Sequence, residues 1–129
     1  MEIRNAWADH PDYVIDLVPE PRLVRVWHGD VLLVETRRCL RLEETRHVDR
    51  WYVPVDDVRW EHFEESVAHT VCPFKGQADY WHLTAGEPGA EPVEKNVVWS
   101  YPEPFAEVAA IRGHVSFYDD RLRVEIIDE

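Results

Sequence analysis

The sequence predicts a mainly β protein in which antiparallel sheets are accompanied by two short helices. From residue 23 to residue 126, short segments of alternating apolar and polar side chains are separated by turn residues, as is typical of antiparallel sheets. Helical spacing replaces this alternation in segments 57–65 and 105–112. The chain has 129 residues, 45% of them hydrophobic, which is sufficient for one domain with one core.

The first strands form a predicted hairpin. Residues 23–27 and 31–35 flank Gly29, which can take the positive φ that a tight turn requires. In the next strand, alternation predicts that Leu40 and Leu42 point inward. The neighbours predicted to point outward are Cys39, Arg41 and Glu43.

A strand at residues 51–53 follows, and Pro54 ends it because proline has no N–H for the ladder. The segment 57–65 is then predicted as a helix because Trp60 and Phe63 lie three residues apart. Turn residues at 86–89 interrupt the chain further on. The later strands alternate cleanly and are predicted at residues 78–83, 96–101, 114–118 and 122–126.

The second predicted helix, at residues 105–112, crosses between two of these strands. Pro104 suits its first turn, and Gly113 lies where a left-handed cap belongs. The last two strands, 114–118 and 122–126, are joined at Asp119-Asp120.

The charge of the chain disfavours two classes of partner. Its 26 acidic and 14 basic side chains give a net charge of −12, which repels phosphate backbones and anionic lipids. We therefore expect no nucleic-acid partner and no membrane partner. Residues 1–17 carry charges throughout and lack the apolar core of a signal peptide, so we expect a cytoplasmic protein with Cys39 and Cys72 as free thiols.

Several motifs resemble one bacterial family. Residues 69–81 contain Cys72-Pro73-Phe74-Lys75-Gly76, a Cys-Pro-aromatic-Lys-Gly loop that leads into an aromatic strand, and residues 98–104 are its partner. Residues 10–13, with Gly113 and Phe117, also fit the pattern. Over nearly its whole length the sequence resembles the family catalogued as domain of unknown function 427.

The resemblance implies sheets that meet in a tent-like arrangement over an aromatic-lined cleft. It also implies an N-terminal extension, residues 1–20, packed on a domain of residues 21–129. The family sometimes carries a nucleotidyltransferase-type label, but we find no residues in the sequence that justify such an activity.

Cys72 is a candidate catalytic nucleophile with His69 as its base, because a nearby imidazole can populate the thiolate. Two residues three apart in a loop need not face one another, however, and no third group orients the pair. The alternative is that Cys72 is a small buried hydrophobe and His69 anchors the loop through hydrogen bonds. Paired Cys-x-x-Cys knuckles are absent, so we expect no zinc.

Lys75 beside Gly76 is a candidate anion site, because the loop offers backbone N–H donors next to an ammonium group. The sequence contains neither the phosphate-binding motif Gly-x-x-x-x-Gly-Lys-Ser/Thr nor the dinucleotide-binding motif Gly-x-Gly-x-x-Gly. We therefore expect no cofactor. Aromatic residues occur in pairs on three predicted strands, as Tyr80-Trp81, Trp99 with Tyr101, and Phe117-Tyr118. Since one face suffices for a core, the surplus rings indicate a binding surface or an oligomer contact, unless all of them fill the core.

Three functions remain open, and whether the protein is an enzyme is not decided by the sequence. The first is a module that binds a small planar or anionic ligand in an aromatic-lined cleft. We expect loop 69–76 and strand 96–101 to be neighbours that form one wall, with His69 and Lys75 at the rim. The second is an enzyme that uses Cys72 and His69 or acts as a nucleotidyltransferase, and the third is a structural or self-associating domain, such as a homodimer. The predicted ligand-binding residues are Lys75, Trp81, Trp99 and Tyr101.

Overall fold

The computed structural model describes residues 4–84 and 91–128 and consists mainly of strands. The hairpin and the four later strands are confirmed to within two residues at each end, whereas the turn predicted at 86–89 lies outside the described residues. The strands are β1 (Ile15–Glu20), β2 (Leu23–His28), β3 (Val31–Thr36), β4 (Cys39–Glu44), β5 (Arg50–Pro54), β6 (Phe63–Cys72), β7 (Gly76–Leu83), β8 (Glu94–Ser100), β9 (His114–Phe117) and β10 (Arg123–Ile127).

Two sheets contain these strands. The large sheet has the order β1-β4-β5-β9-β8-β7-β6, and the small sheet has the order β10-β2-β3. Every pairing of named strands in the described chain is antiparallel. Asp119-Asp120 links β9 of the large sheet to β10 of the small sheet, so this link is not a hairpin turn. The mainly antiparallel β class is the one that the sequence predicts.

Both faces of the large sheet are covered. The first core cluster joins the small sheet, through residues such as Val26 and Leu33, to one face of the large sheet, through residues such as Val53. The second core cluster lies on the opposite face, where Tyr52 is the alternating neighbour of Val53. Cys39 belongs to the first cluster and is buried, so the prediction that it points to solvent is wrong.

The segments predicted as helices contain only 3-10 turns. Phe63 already begins β6, and the later segment is kinked at Val108. Because a 3-10 turn has three residues, the spacing of Trp60 and Phe63 is satisfied by a single turn. No helix in the described part of the chain is long and apolar enough to cross a membrane. The 3-10 segments are Trp7–Asp9, Val55–Asp57, Trp60–His62 and Ala106–Ile111.

The sequence analysis missed two strands, β1 and β6, which form the two edges of the large sheet. β6 includes residues 69–72, which the sequence places in a loop, and pairs with β7 as far as Cys72 opposite Gly76. Its alternation is weak because an edge strand leaves apolar residues such as Val67 exposed. β1 lies inside the segment 1–20 and pairs with β4.

Gly76 and Gly29 give a matched test of backbone strain. A Cβ on Gly76, where φ is +122°, would lie 3.2 Å from the carbonyl oxygen of Glu103, whereas Gly29, with φ +59°, has open space around it. A positive φ costs an alanine about 1–2 kcal/mol. We expect Gly76→Ala to lower the free energy of unfolding, measured in urea, by more than Gly29→Ala does. Equal losses in the two variants would contradict this account.

Candidate functional site

A cavity of about 450 Å³ opens on the face of the large sheet that carries the second core cluster. Seven of its fifteen described lining residues are Tyr, Trp or Phe, and four others are acidic, basic or histidine. The rings are those of Tyr13, Tyr52, Phe74, Tyr80, Trp99, Tyr101 and Tyr118. The ionisable groups are Glu44, His47, Arg50 and Lys75. We call this space the main cavity.

A buried ion pair lies in the wall of the main cavity. The Nζ atom of Lys75 is 2.5 Å from Oε1 of Glu44, and the two side chains are 10% and 8% exposed. Glu44 is the last residue of β4, whereas Lys75 belongs to the turn between β6 and β7. The pair therefore ties a strand end to a turn that lies 31 residues away in sequence. Lys75 lines the main cavity with its ammonium group buried and paired.

Tyr13 completes the hydrogen bonding of Glu44 from the N-terminal side. Its hydroxyl donates to Oε2 of Glu44, and its ring stacks on Phe74 at a centroid distance of 3.7 Å. Burial, the hydrogen bond and the charge of Glu44 raise the pKa of Tyr13, so the hydroxyl stays a donor at neutral pH. His47 Nε2 lies 4.0 Å from the same carboxylate oxygen. Both oxygens of Glu44 are thus engaged.

The N-terminal segment holds the turn that carries Lys75. The backbone N–H of Ala6 donates to the carbonyl of Pro73 at 2.9 Å, and the indole N–H of Trp7 donates to the carbonyl of Phe74 at 2.8 Å. The N–H of Phe105 donates to the carbonyl of Lys75 at 3.0 Å from the other side. These bonds fix the turn as one wall of the main cavity.

Two tyrosines of the cavity lining, Tyr52 and Tyr101, have hydroxyls with unused hydrogen-bonding capacity. Tyr52 accepts a bond from the indole N–H of Trp99 at 3.3 Å, and none of the described hydrogen bonds uses its proton. Tyr101 is 8% exposed, and its hydroxyl has no partner in the described chain. Burial is the main cause that raises the pKa of both tyrosines. Both therefore present protonated hydroxyls, which can donate to a ligand.

Arg50 covers two of the rings. Its guanidinium carbon lies 5.6 Å from the ring centroid of Trp99 and 5.3 Å from that of Tyr118. Asp119 approaches one guanidinium nitrogen at 3.6 Å, an ion pair that is partly exposed. The planar cation thus lies over aromatic rings at the cavity, with further N–H donors available for a ligand.

Cys72 reaches the main cavity, but His69 does not. The two residues are three apart on β6, and an odd separation places side chains on opposite faces of a strand. The imidazole Nδ1 of His69 lies 2.8 Å from Asp79 instead. The nearest charged partner of the Cys72 sulfur is Lys75, whose Nζ lies 3.9 Å away. The structure therefore does not form the Cys72–His69 pair that the sequence suggests.

The four predicted ligand-binding residues also lie on two different faces of the large sheet. Lys75, Trp99 and Tyr101 line the main cavity, whereas Trp81 packs against the first core cluster on the other face of the sheet. Loop 69–76 and strand 96–101 were expected to be neighbours. They are not adjacent in the sheet, because β7 lies between β6 and β8, although residues of both segments line the main cavity. Among the described residues, no group of three or more His, Cys, Asp or Glu is placed to hold a metal ion.

Sequence reasoning missed Tyr13, Glu44, Arg50 and Tyr52 as lining residues. A signal existed for Glu44, since it continues the even-numbered face of Leu40 and Leu42 and should point inward with them. Glu44 also ends a run of mixed basic and acidic residues, from Arg37 to Glu44, and such runs are usually solvated strand edges. Tyr13 gave no such signal, because its position depends on contacts with Phe74 and Glu44 far along the chain.

The comparison with protein families identifies the family of the chain. The model of a domain of unknown function, DUF427, which carries the label NTP_transf_9, matches residues 16–128. The chain belongs to the DUF427 family. The match begins inside β1 and includes the main-cavity residues named above except Tyr13. It confirms the resemblance noted in the sequence, but the description of DUF427 names no function. No curated protein matches the chain.

Removing one partner of the buried ion pair should destabilise this DUF427 protein strongly. Lys75→Met would leave the carboxylate of Glu44 buried without its cation, and such a loss typically costs about 3–5 kcal/mol. Arg25→Met is the control, because its exposed pair with Glu35 should contribute at most about 1 kcal/mol. Urea denaturation measures both. A Lys75→Met variant as stable as Arg25→Met would show that the pair does not stabilise the fold.

The two thiols should differ in reactivity. Burial, with a smaller effect of the Glu20 charge, raises the pKa of Cys39 to about 12, so this thiol stays protonated at pH 8. Cys72 is only partly buried and lines the main cavity. We expect iodoacetamide to alkylate Cys72 in the folded protein and Cys39 only after unfolding, as followed by mass spectrometry. Folded Cys72→Ser protein that takes up label at the wild-type rate would refute this order.

Proposed function

We propose that the main cavity binds a small planar ligand that carries an anionic or hydrogen-bond-accepting group at one edge. The observation that carries the proposal is a cavity of about 450 Å³ with ring walls and the unpaired hydroxyl of Tyr101. Small-molecule sites are typically concave, of about 300–1,000 Å³, and combine apolar walls with a few directed polar groups.

The ring walls favour a planar ligand. Trp99 lies at the centre, with its centroid 4.7 Å from Tyr118 and 6.5 Å from Tyr80. Flat ligands gain from offset stacking on such rings in addition to the area that they bury. The indole N–H of Trp99 is held by Tyr52, so the ring is oriented before a ligand arrives.

The polar groups favour an acceptor or an anion at one edge. Tyr101 and Tyr52 offer hydroxyl donors, and Arg50 offers guanidinium donors. Lys75 and Glu44 balance each other, and Asp119 lies 3.6 Å from one nitrogen of the Arg50 guanidinium. The remaining N–H donors of Arg50 favour an anionic or hydrogen-bond-accepting group at the cavity.

A second candidate function is nucleophilic catalysis by Cys72 in the same cavity. Its support is the 3.9 Å approach of the Lys75 ammonium, which can stabilise negative charge that develops on the sulfur. His69 takes no part in this version. If it holds, Cys72→Ala keeps ligand affinity but loses the covalent adduct or turnover.

The nucleotidyltransferase alternative gains no support from the cavity. Phosphoryl transfer normally relies on carboxylates that bind metal ions at the phosphates. Glu44 is the carboxylate of the described lining, and its oxygens are engaged by Lys75 and Tyr13. Self-association through β6 is supported by the exposed side chains of Val67 and Val71 on this edge strand. The register shift between Glu65 and His69, however, disfavours pairing of two such edges.

The cytoplasm is our proposed location. Both cysteines are free thiols, and they lie in core clusters on opposite faces of the large sheet. Unpaired thiols are typical of a reducing compartment.

Binding of 2-naphthoate, a planar bicyclic anion, tests the proposal. We expect calorimetry to show tighter binding of 2-naphthoate than of its saturated decalin carboxylate, which lacks the flat rings, or of neutral 2-naphthamide. Tyr101→Phe removes one hydroxyl and should weaken 2-naphthoate binding about tenfold, as expected for a hydrogen bond to a charged group.

Tyr80→Phe is the matched control, because the hydroxyl of Tyr80 is already bonded to Thr70 at 2.9 Å. Its effect on affinity should be within about twofold. Equal binding of the flat and the saturated carboxylate would defeat the planar preference, and unchanged affinity in Tyr101→Phe would defeat the role of the hydroxyl.

A further inference from the structure

We propose a second binding site, for a small quaternary ammonium ligand, at an aromatic box formed by Trp60, Phe63 and Trp81 with the carboxylate of Glu65. These four residues line a separate cavity of about 360 Å³. The box shares no residue with the main cavity and lies on the other side of the large sheet, since its rings pack against the first core cluster. The proposal is therefore independent of the function proposed above.

Strand register and one hydrogen bond build the box. Glu65 pairs directly with Trp81 across β6 and β7, so their side chains lie on one face as neighbours. Phe63 lies two residues before Glu65 on the same face. Trp60 closes the third side, with its centroid 5.1 Å from Trp81 and 5.8 Å from Phe63. The Trp60 ring is held in place because its indole N–H donates to the carbonyl of Val55 at 2.8 Å.

The box lacks the cation that similar rings of this protein have. Trp27, Trp99 and Tyr118 each have an arginine within 6 Å of the ring centroid. Among residues 4–84 and 91–128, no arginine or lysine takes that position over Trp60, Phe63 or Trp81. The carboxylate of Glu65 likewise has no hydrogen bond or ion pair with any described residue. Three aromatic side chains and one carboxylate, groups that can stabilise a positive charge, thus line the same cavity.

The lining selects among cations. A primary ammonium group has three N–H donors and a guanidinium has five, all of which need acceptors or water. The box offers one carboxylate and otherwise ring faces, so these cations would lose hydration without replacing it. A quaternary ammonium has no N–H, and its methyl groups can contact the rings directly. The geometry therefore favours a choline-like head group over a lysine or arginine side chain.

Choline and its neutral isostere 3,3-dimethyl-1-butanol are the probes, because they differ mainly in the charge of the central atom. Titration at about 0.15 M salt limits long-range attraction by the net charge of −12 to about 8 Å. Indole N–H signals in NMR spectra report each tryptophan separately. We expect choline to shift the signals of Trp60 and Trp81 but not that of Trp99, and to bind about tenfold tighter than the isostere.

Glu65→Gln should weaken choline binding about three- to fivefold, as expected for an exposed charge. Glu64→Gln is the matched control: it removes the same charge from the next residue of β6, on the opposite face, and should leave affinity unchanged. Ethanolamine, the primary-ammonium counterpart of choline, should bind more weakly than choline. Four results would overturn the proposal: the neutral isostere or ethanolamine binding as tightly as choline, an equal loss of choline affinity in both Gln variants, or choline-induced shifts confined to the Trp99 signal.

Discussion

Glu44 and Lys75 meet at 2.5 Å between the end of β4 and the turn that follows β6, and the main cavity depends on this contact. Charged side chains that are about nine-tenths buried are tolerated only when they are paired and hydrogen-bonded. Tyr13 takes the second carboxylate oxygen and so brings the N-terminal segment to the same point. The β1–β4 pairing already places Tyr13 beside the end of β4, and the buried charge pair adds the turn after β6 to this point.

The large sheet has the second structural role, because it separates two aromatic surfaces. Adjacent residues of β7 illustrate this: Tyr80 points to the main cavity, and Trp81 points to the aromatic box. A half-exposed sheet would need apolar side chains on one face only. Here both faces are covered, so aromatic residues on both faces are consistent with a fold that has two core clusters.

The sequence predicts the fold class well because alternation with a period of two is a local property. The hairpin at 23–35 and β7 to β10 follow from it directly. The sequence could not show that the two predicted helices are 3-10 turns, because over one turn a spacing of three residues fits both a 3-10 turn and an α-helix. β6 was missed because an exposed edge strand needs no apolar face.

The site was less accessible to prediction than the fold. Lys75, Trp99 and Tyr101 were found because rings and a Pro-Gly-bounded turn mark them in the sequence. Trp81 was assigned to the same cleft, although its neighbour Tyr80 takes that face. Glu44 and Tyr13 depend on contacts across 31 residues, and local patterns carry no information about such distances.

The attachment of the N-terminal segment has a consequence for the mobility of one wall of the main cavity. Residues 6–13 hold the 73–75 turn through side-chain stacking and single hydrogen bonds and contribute no strand to either sheet. Lifting this segment breaks no ladder bond, so its opening is a local event with a free energy below that of global unfolding. Local opening of residues 6–13 thus frees the 73–75 turn, one wall of the main cavity, while both sheets stay intact.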